Sequence, residues 1–275
     1  MANTITDQMI GTIITAAEFA AYENAIARVV GTAYNVAPGT GNTVQVPMYA
    51  SMTALGKDGG TDEFADAGTG ATSASISMTE LGVYNRIKDM DEGATASNLL
   101  NDLGMQAGLA VAQGIDEAAF ANFGSFTGGT VGSIDAALGI ADIMRGASLL
   151  RSAGYIGQYS AVLNPMAALP IKTALAGTLA GGERVLGAYY LGSIAGVDVY
   201  ESASVAITDD EPDVDFESVG AIFVKQALGV AMRGGIEIEQ QRSAKGKATD
   251  LVVSAVVGSG IINAAAGVQL IGSAD

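Results

Sequence analysis

The spacing of hydrophobic and polar positions changes several times along the chain, and each change marks a new element. Over 15–30, Ala16, Phe19, Ala20, Ile26, Ala27 and Val30 recur at helical spacing with Glu18, Glu23 and Arg28 between them, which predicts a short amphipathic helix. About fourteen weakly patterned residues precede it and read as a partner-dependent arm. Residues 43–49 (TVQVPMY) then alternate as a strand, and 73–88 (SASISMTELGVYNRIK) reads as a second, longer one. Pro47 cannot donate to a ladder and argues for an edge position. Between the two, 50–72 is rich in Gly, Ala, Asp and Thr and exposes Lys57, Asp58, Asp62, Glu63 and Asp66. It reads as the tip of a long hairpin, and a hairpin of that length cannot bury itself well alone.

Helical spacing returns over 97–123, where Leu100, Leu103, Ala107, Val111, Ile115 and Ala118 share one face behind Ser97 as N-cap. Such a helix would be roughly 40 Å long. Gly104, Gly108 and Gly114 weaken it by about 1 kcal/mol each, which makes sense where neighbours approach closely. A further helix is expected over 134–153, with Ile140, Ile143, Met144, Ala147 and Leu150 inward and Gly154 as C′. A strand over 158–163 leads into Asn164 and Pro165, an N-cap and N1 pair opening a helix to about 175, which Pro170 would delay or kink. Strands follow over 192–202, 219–224, 228–232, 236–240 and 247–257. This order predicts an α+β fold with the hairpin and long helix attached to a compact C-terminal half.

Composition narrows what such a fold can do. The 275 residues allow one elaborate domain or two joined ones. Hydrophobic residues make up 49% and charged ones 15%, mean hydropathy is +0.35, and 37 glycines with many alanines supply little side-chain volume. Part of the apolar surface is therefore expected to be buried between subunits. With no cysteine and no histidine, thiolate nucleophiles, His-based triads, Cys/His zinc sites and disulfides are all excluded. A net charge of −16 makes a nucleic-acid reader improbable. The stretch 91–130 holds Asp91, Glu92, Asp102, Asp116 and Glu117 and no basic residue at all. Asp7 interrupts the first ten residues, so no signal peptide is read. Residues 251–271 are uncharged and of membrane-span length, but acidic flanks, a β-branched first half, and Gly258, Gly260, Asn263 and Gly267 argue against a span.

Chemistry-bearing motifs are few. Gly39, Gly41 and Thr43 lack the GK[ST] ending and following helix of a phosphate loop, and no G-x-S-x-G elbow occurs. Residues 209–217 (DDEPDVDFE) carry six carboxylates, yet without a turn glycine and with Pro212 they read as a solvated loop rather than a calcium site. A metal-dependent hydrolase using Asp209, Asp213 and Asp215 would need a second ligand cluster that the chain does not offer. Arg233, Arg242, Lys245 and Lys247 form the one basic cluster in the sequence, without aromatics and with Glu237 and Glu239 among them, which favours ion pairing between subunits over nucleic-acid binding. No catalytic, cofactor or metal site is expected.

The strings TAAEFAAYENAIARVV, GTGNTVQVPMY, LGVYNRIKDM, AGYIGQYSAVLNPMAAL, GSIAGVDVYES and ALGVAMRGGIEIEQQRSAKGKATDLVVSAVVGSGIINAAAGV resemble, in family order, those of tailed-bacteriophage major capsid proteins with the Hong Kong 97 type fold, cyanophage-like ones above all. The resemblance implies an N-terminal arm at 1–35, an extended hairpin called the E-loop at 36–90, a peripheral domain with a spine helix at 91–132, an axial domain at 133–227, and return strands at 228–275 completing the peripheral domain. It implies a structural subunit forming pentamers and hexamers of an icosahedral head in the virion, assembled in the host cytoplasm. Packaged DNA would be met only non-specifically, with no membrane involved; scaffolding, portal and decoration proteins stay open as further partners. Contacts between copies are expected at Lys57, Asp58, Asp62, Glu63, Asp66, Arg233, Arg242, Lys245 and Lys247. No long scaffolding extension precedes the arm, and Lys57 alone in the hairpin tip gives little reason to expect covalent cross-linking. An encapsulin-type cellular compartment shares the fold and is the alternative; a decoration protein would not need arm, hairpin and rod together.

Overall fold

The computed structural model describes residues 25–39, 41–49, 70–88, 99–134, 136–176, 190–209 and 216–273. Two sheets and one separate hairpin organise them. The first sheet has four strands in the order β1 (Thr32–Val36), β11 (Leu228–Ser243), β12 (Ala248–Ile261) and β4 (Thr79–Lys88). Helix α2 (Leu99–Phe120) lies along one of its faces. Its Ala107, Val111 and Ile115 share a core with Leu81, Val83, Leu251, Val253, Ala255 and Val257, the odd-numbered positions of two alternating strands. The inward face runs through Ala119 rather than Ala118, which is exposed. The helix's 22 described residues span roughly 33 Å, and it ends at Phe120, short of the expected 123, because Phe123–Ser125 turns off as a separate 3-10 segment. Ser97 lies outside the described residues. At Gly114 a side chain would press on Leu81 Cδ1 at 3.2 Å, a close approach of helix and sheet.

The second sheet runs β5 (Thr130–Gly132), β13 (Gly267–Ser273), β10 (Phe216–Val224), β6 (Tyr159–Leu163), β8 (Val197–Glu201) and β7 (Tyr190–Ile194), with β9 (Ile207–Asp209) paired to the start of β10. Every residue of β6 is buried, as a strand covered on both faces requires. One face carries α3 (Ile140–Ser152) and α4 (Pro165–Ala176), packed through Ile143, Ala147, Leu150, Ala167, Ala168 and Ile171. The other face presents Val162, Ala221 and Phe223 to an aromatic cluster of Phe120, Phe123 and Phe126, whose rings stand 5.0 to 6.1 Å apart in successive pairs. Phe223 joins it at 5.6 Å from Phe123.

The chain crosses between the two sheets through three neighbouring segments: 121–129, the 3-10 turn Lys225–Ala227, and the stretch containing the 3-10 turn Ala264–Ala266. Backbone bonds hold the crossings together: Ile262 N–H to the Ala227 carbonyl at 2.8 Å, Thr127 N–H to Ala264 at 2.9 Å, and Gly128 N–H to Gly267 at 2.9 Å. The third unit is the hairpin of β2 (Thr43–Tyr49) and β3 (Ala71–Ser77), which pair only with each other among the described residues.

Several expected elements are redrawn. The strand expected over 73–88 is two strands in two different sheets, broken at Met78, whose N–H bonds the Asn42 carbonyl at 2.8 Å. Buried or half-buried positions run Ala74, Ile76, Met78 before the break and Leu81, Val83, Ile87 after it, so the period-2 phase slips by one residue and the chain must change faces. The strand expected over 192–202 is a hairpin turning at Ala195 (φ 54°) and Gly196 (φ 83°), both left-handed as a type I′ turn requires. The pieces 228–232 and 236–240 belong to one strand with a bulge between Arg233 and Glu237, where Gly234 has φ 70°. The helix expected from 134 begins at Ile140, with the Gly139 N–H bonded to Asp142 Oδ2 at 2.9 Å, and Met144 faces outward, half exposed. It ends as foreseen at Gly154 (φ 85°), with Gly154 N–H bonded to Arg151 and Tyr155 N–H to Leu150. Asn164 caps α4 at 3.0 Å from the Met166 N–H, and Pro170 sits inside that helix without ending it. Residues 251–271 form parts of β12 and β13, and no helix among the described residues is long and apolar enough to cross a membrane. Of the expected helix over 15–30, α1 (Ile26–Val30) is described and 15–24 lie outside the described residues.

Candidate assembly surfaces

Burial in the β2–β3 hairpin is one-sided and thin. In its two seven-residue strands only Ile76 is fully buried. Val44, Val46 and Ile76 pack on Ala231, Val256, Tyr34 and Val36, seating the hairpin's base on the face of the four-stranded sheet opposite α2. Gly258 makes that seat possible, since a side chain there would collide with the Ser77 backbone. Toward the tip the same apolar face continues through Met48, half exposed, and Tyr49 is 72% exposed. Lys57, Asp58, Asp62, Glu63 and Asp66 lie outside the described residues.

The four basic residues grouped by sequence are separated by the fold. Arg233 sits at the base of the sheet, its Nη1 donating to the Gly41 carbonyl at 3.0 Å and Asn42 Oδ1 at 2.8 Å. It borders an open depression of about 130 Å³ with Glu80, Glu237 and Ser254, so its bonds tie the hairpin to its own sheet. Arg242, Lys245 and Lys247 are at the far end, where β11 turns into β12 and Lys247 takes φ 45°; Arg242 Nη1 reaches Thr249 Oγ1 at 3.3 Å. The register brings Arg86 and Lys88 of β4 to this same end. Arg86 holds Asp250 with two bonds, 2.6 and 2.9 Å, and Tyr84 donates to it at 2.8 Å. Arg86 and Tyr84 keep the Asp250 carboxyl below its ordinary range. Exposed as it is, this pair orients the strands more than it stabilises them.

Two buried charged groups lie elsewhere. Asp116, on the inner side of α2 and 3% exposed, accepts the Ala27 N–H at 2.8 Å and the Ile26 N–H at 3.1 Å, fastening α1 to α2. Burial raises its carboxyl from 3.8 to about 6, the two backbone bonds opposing the rise. Its role was missed in the sequence, although a carboxylate four residues after Ala112 and three before Ala119, on the buried side, was the available signal. Lys172 Nζ contacts the Glu201 carboxylate, 2.6 Å from Oε2, joining α4 to the end of β8. Among the described residues no three Asp or Glu side chains converge on a point that would hold a metal. Residues 210–215 lie outside them, as does the side chain of Asp209.

No protein-family model and no curated protein sequence matches the chain. Solved structures do. The capsid of Ralstonia phage GP4 superposes with a TM-score of 0.69 at 12% identity, over 90% of this chain and 87% of that one. The capsid of cyanophage P-SCSP1u gives 0.62 at 18% identity, over 88% and 86%, and a structure of Mycobacterium phage Che8 gives 0.63 at 17%, over 84% and 85%. The chain has the α+β fold of these phage capsid structures along most of its length.

Proposed function

We propose that this chain is the major capsid protein of a tailed bacteriophage, a non-catalytic subunit whose copies form pentamers and hexamers of an icosahedral head around double-stranded DNA. One observation carries the proposal: a body with the fold of phage capsid subunits bears a hairpin with a single fully buried residue, Ile76, in its described strands. Such a hairpin gains burial by lying on another copy, so association completes what folding leaves open. In this reading the arm is 1–35 and the E-loop hairpin 36–90, except that β1 and β4 join the four-stranded sheet, and α2 is the spine helix. The peripheral domain is the four-stranded sheet with α2, and the axial domain the seven-stranded sheet with α3 and α4. That division moves 130–132 and 267–273, expected in the peripheral domain, into the axial sheet, where β13 lies between β5 and β10. Contacts between copies would run through Lys57, Asp58, Asp62, Glu63 and Asp66 of the hairpin, through Arg233 at the sheet's base, and through Arg242, Lys245 and Lys247 at its far end. The compared structures are phage structures, which supports a virion over an encapsulin-type compartment, and the assembly site would be the host cytoplasm.

The test is negative-stain electron microscopy of the purified recombinant protein at high concentration. Closed shells or capsomer arrays are expected. A chain that stays monomeric under all assembly conditions, with the hairpin protected on its own body, would overturn the proposal.

A further inference from the structure

Asp116 stands where the chain ahead of Ala25 joins the described fold. Its two carboxylate oxygens take the N–H groups of Ile26 and Ala27, which open the five-residue helix α1. Ala25, Ala27 and Val30 of that segment are buried, and Arg28 Nη1 reaches the Met232 sulfur at 3.5 Å. From α1 the chain passes directly into β1, paired in parallel with β11. One carboxylate therefore sits at the root of the 24 residues upstream.

We infer that Asp116 is a pH-dependent latch that holds residues 25–31 on α2 more tightly in mild acid than at neutral pH. The geometry supplies the reason. Undocking α1 would free both N–H groups and admit water to a carboxylate that docking keeps nearly dry, so docked and open forms bind protons differently. Docked, the carboxyl titrates at about 6; hydrated, it would return to the ordinary 3.8. A group with a raised folded value strengthens docking fully below the lower of these and loses that contribution as pH rises through the higher. The difference corresponds to roughly a hundredfold in the open-to-docked ratio.

Charged neighbours do not set this behaviour, since the rise comes from burial. On α1 the titratable group is Arg28, and on α2 Glu117 is exposed and bonded to Gln113. β4 and β12 turn Leu81, Val83, Leu251, Val253, Ala255 and Val257 toward α2, while alternation sends Glu80, Arg86, Lys88 and Asp250 to the opposite face. Arg233 of β11 is bonded at Gly41 and Asn42. Glu18 and Glu23 lie outside the described residues.

The inference concerns the subunit alone and does not depend on the shell reading. Amide hydrogen exchange on the unassembled full chain, corrected for the intrinsic pH dependence of exchange, tests it between about pH 4.5 and 7.5. The opening constant at Ile26 and Ala27 should rise more than tenfold across that range, while Ile222 and Phe223 in β10 stay unchanged. In Asp116→Asn, which keeps an acceptor oxygen without the charge, the rise should vanish. Protection that is flat with pH in the parent chain, or a rise that persists in Asp116→Asn, overturns the latch even if the protein forms shells. Should that variant not fold, carbon NMR titration of Asp116 in the parent chain decides: a midpoint near 6 supports the latch and one near 4 refutes it.

Discussion

At the scale of single residues, Asn164 shows how far local sequence carries and where it stops. The Asn-Pro pair announces a helix start, and Asn164 Oδ1 indeed takes the Met166 N–H. The same buried side chain also donates through Nδ2 to the Val205 carbonyl at 2.8 Å, 41 residues away, a partner no local pattern contains. Asn164→Ala removes a cap worth about 1 kcal/mol and leaves a buried carbonyl unpaired at a cost of about 1 to 3 kcal/mol. The urea midpoint of the unassembled subunit should fall accordingly; an unchanged midpoint would mean that neither bond matters. Glycines divide the same way. Gly154 was legible as a helix terminator, whereas Gly132 (φ 90°) is required because a side chain there would collide with the Ile271 carbonyl, a clash set by strand pairing between distant segments.

Among elements, those defined by a single periodicity were readable: α2, α4, the first hairpin strand and the buried strand at Tyr159–Leu163. Misread segments are those in which periodicity holds while its meaning changes. Across Met78 the alternation continues but moves to the other parity, and across 195–196 it continues through a turn made by Ala-Gly rather than the Asn-Gly that usually signals one. Strands β1, β5, β9 and β13 escaped notice as strands because they are short or lie in runs without polar alternation. The site-bearing part was legible as a long hairpin, but its seat on its own sheet through Val44, Val46 and Ile76 was not. Since that seat is at the base, deleting 51–72 should leave a soluble, cooperatively unfolding subunit that forms no shells. Normal particles from the deletion, seen by microscopy, would show that the hairpin's outer part has no role in assembly.

For the whole molecule, charge and connectivity govern what many copies can do together. At a net charge of −16, subunits repel one another over the Debye length, about 10 Å at 0.1 M salt and about 3 Å at 1 M. If the chain assembles as proposed, shell formation followed by light scattering should therefore speed up as monovalent salt rises through this range. Slowing instead would place ion pairs, not apolar burial, in control of association. The three bonded crossings between the sheets bear on mechanics. Because Ala227 is bonded to Ile262 and Asn263, Ala264 to Thr127, and Gly267 to Gly128, the two sheets would tilt as a single stiff beam, without an elbow at mid-length. If the five-fold and six-fold rings of the proposed shell impose different curvatures, the compliance that absorbs the difference must reside outside that beam.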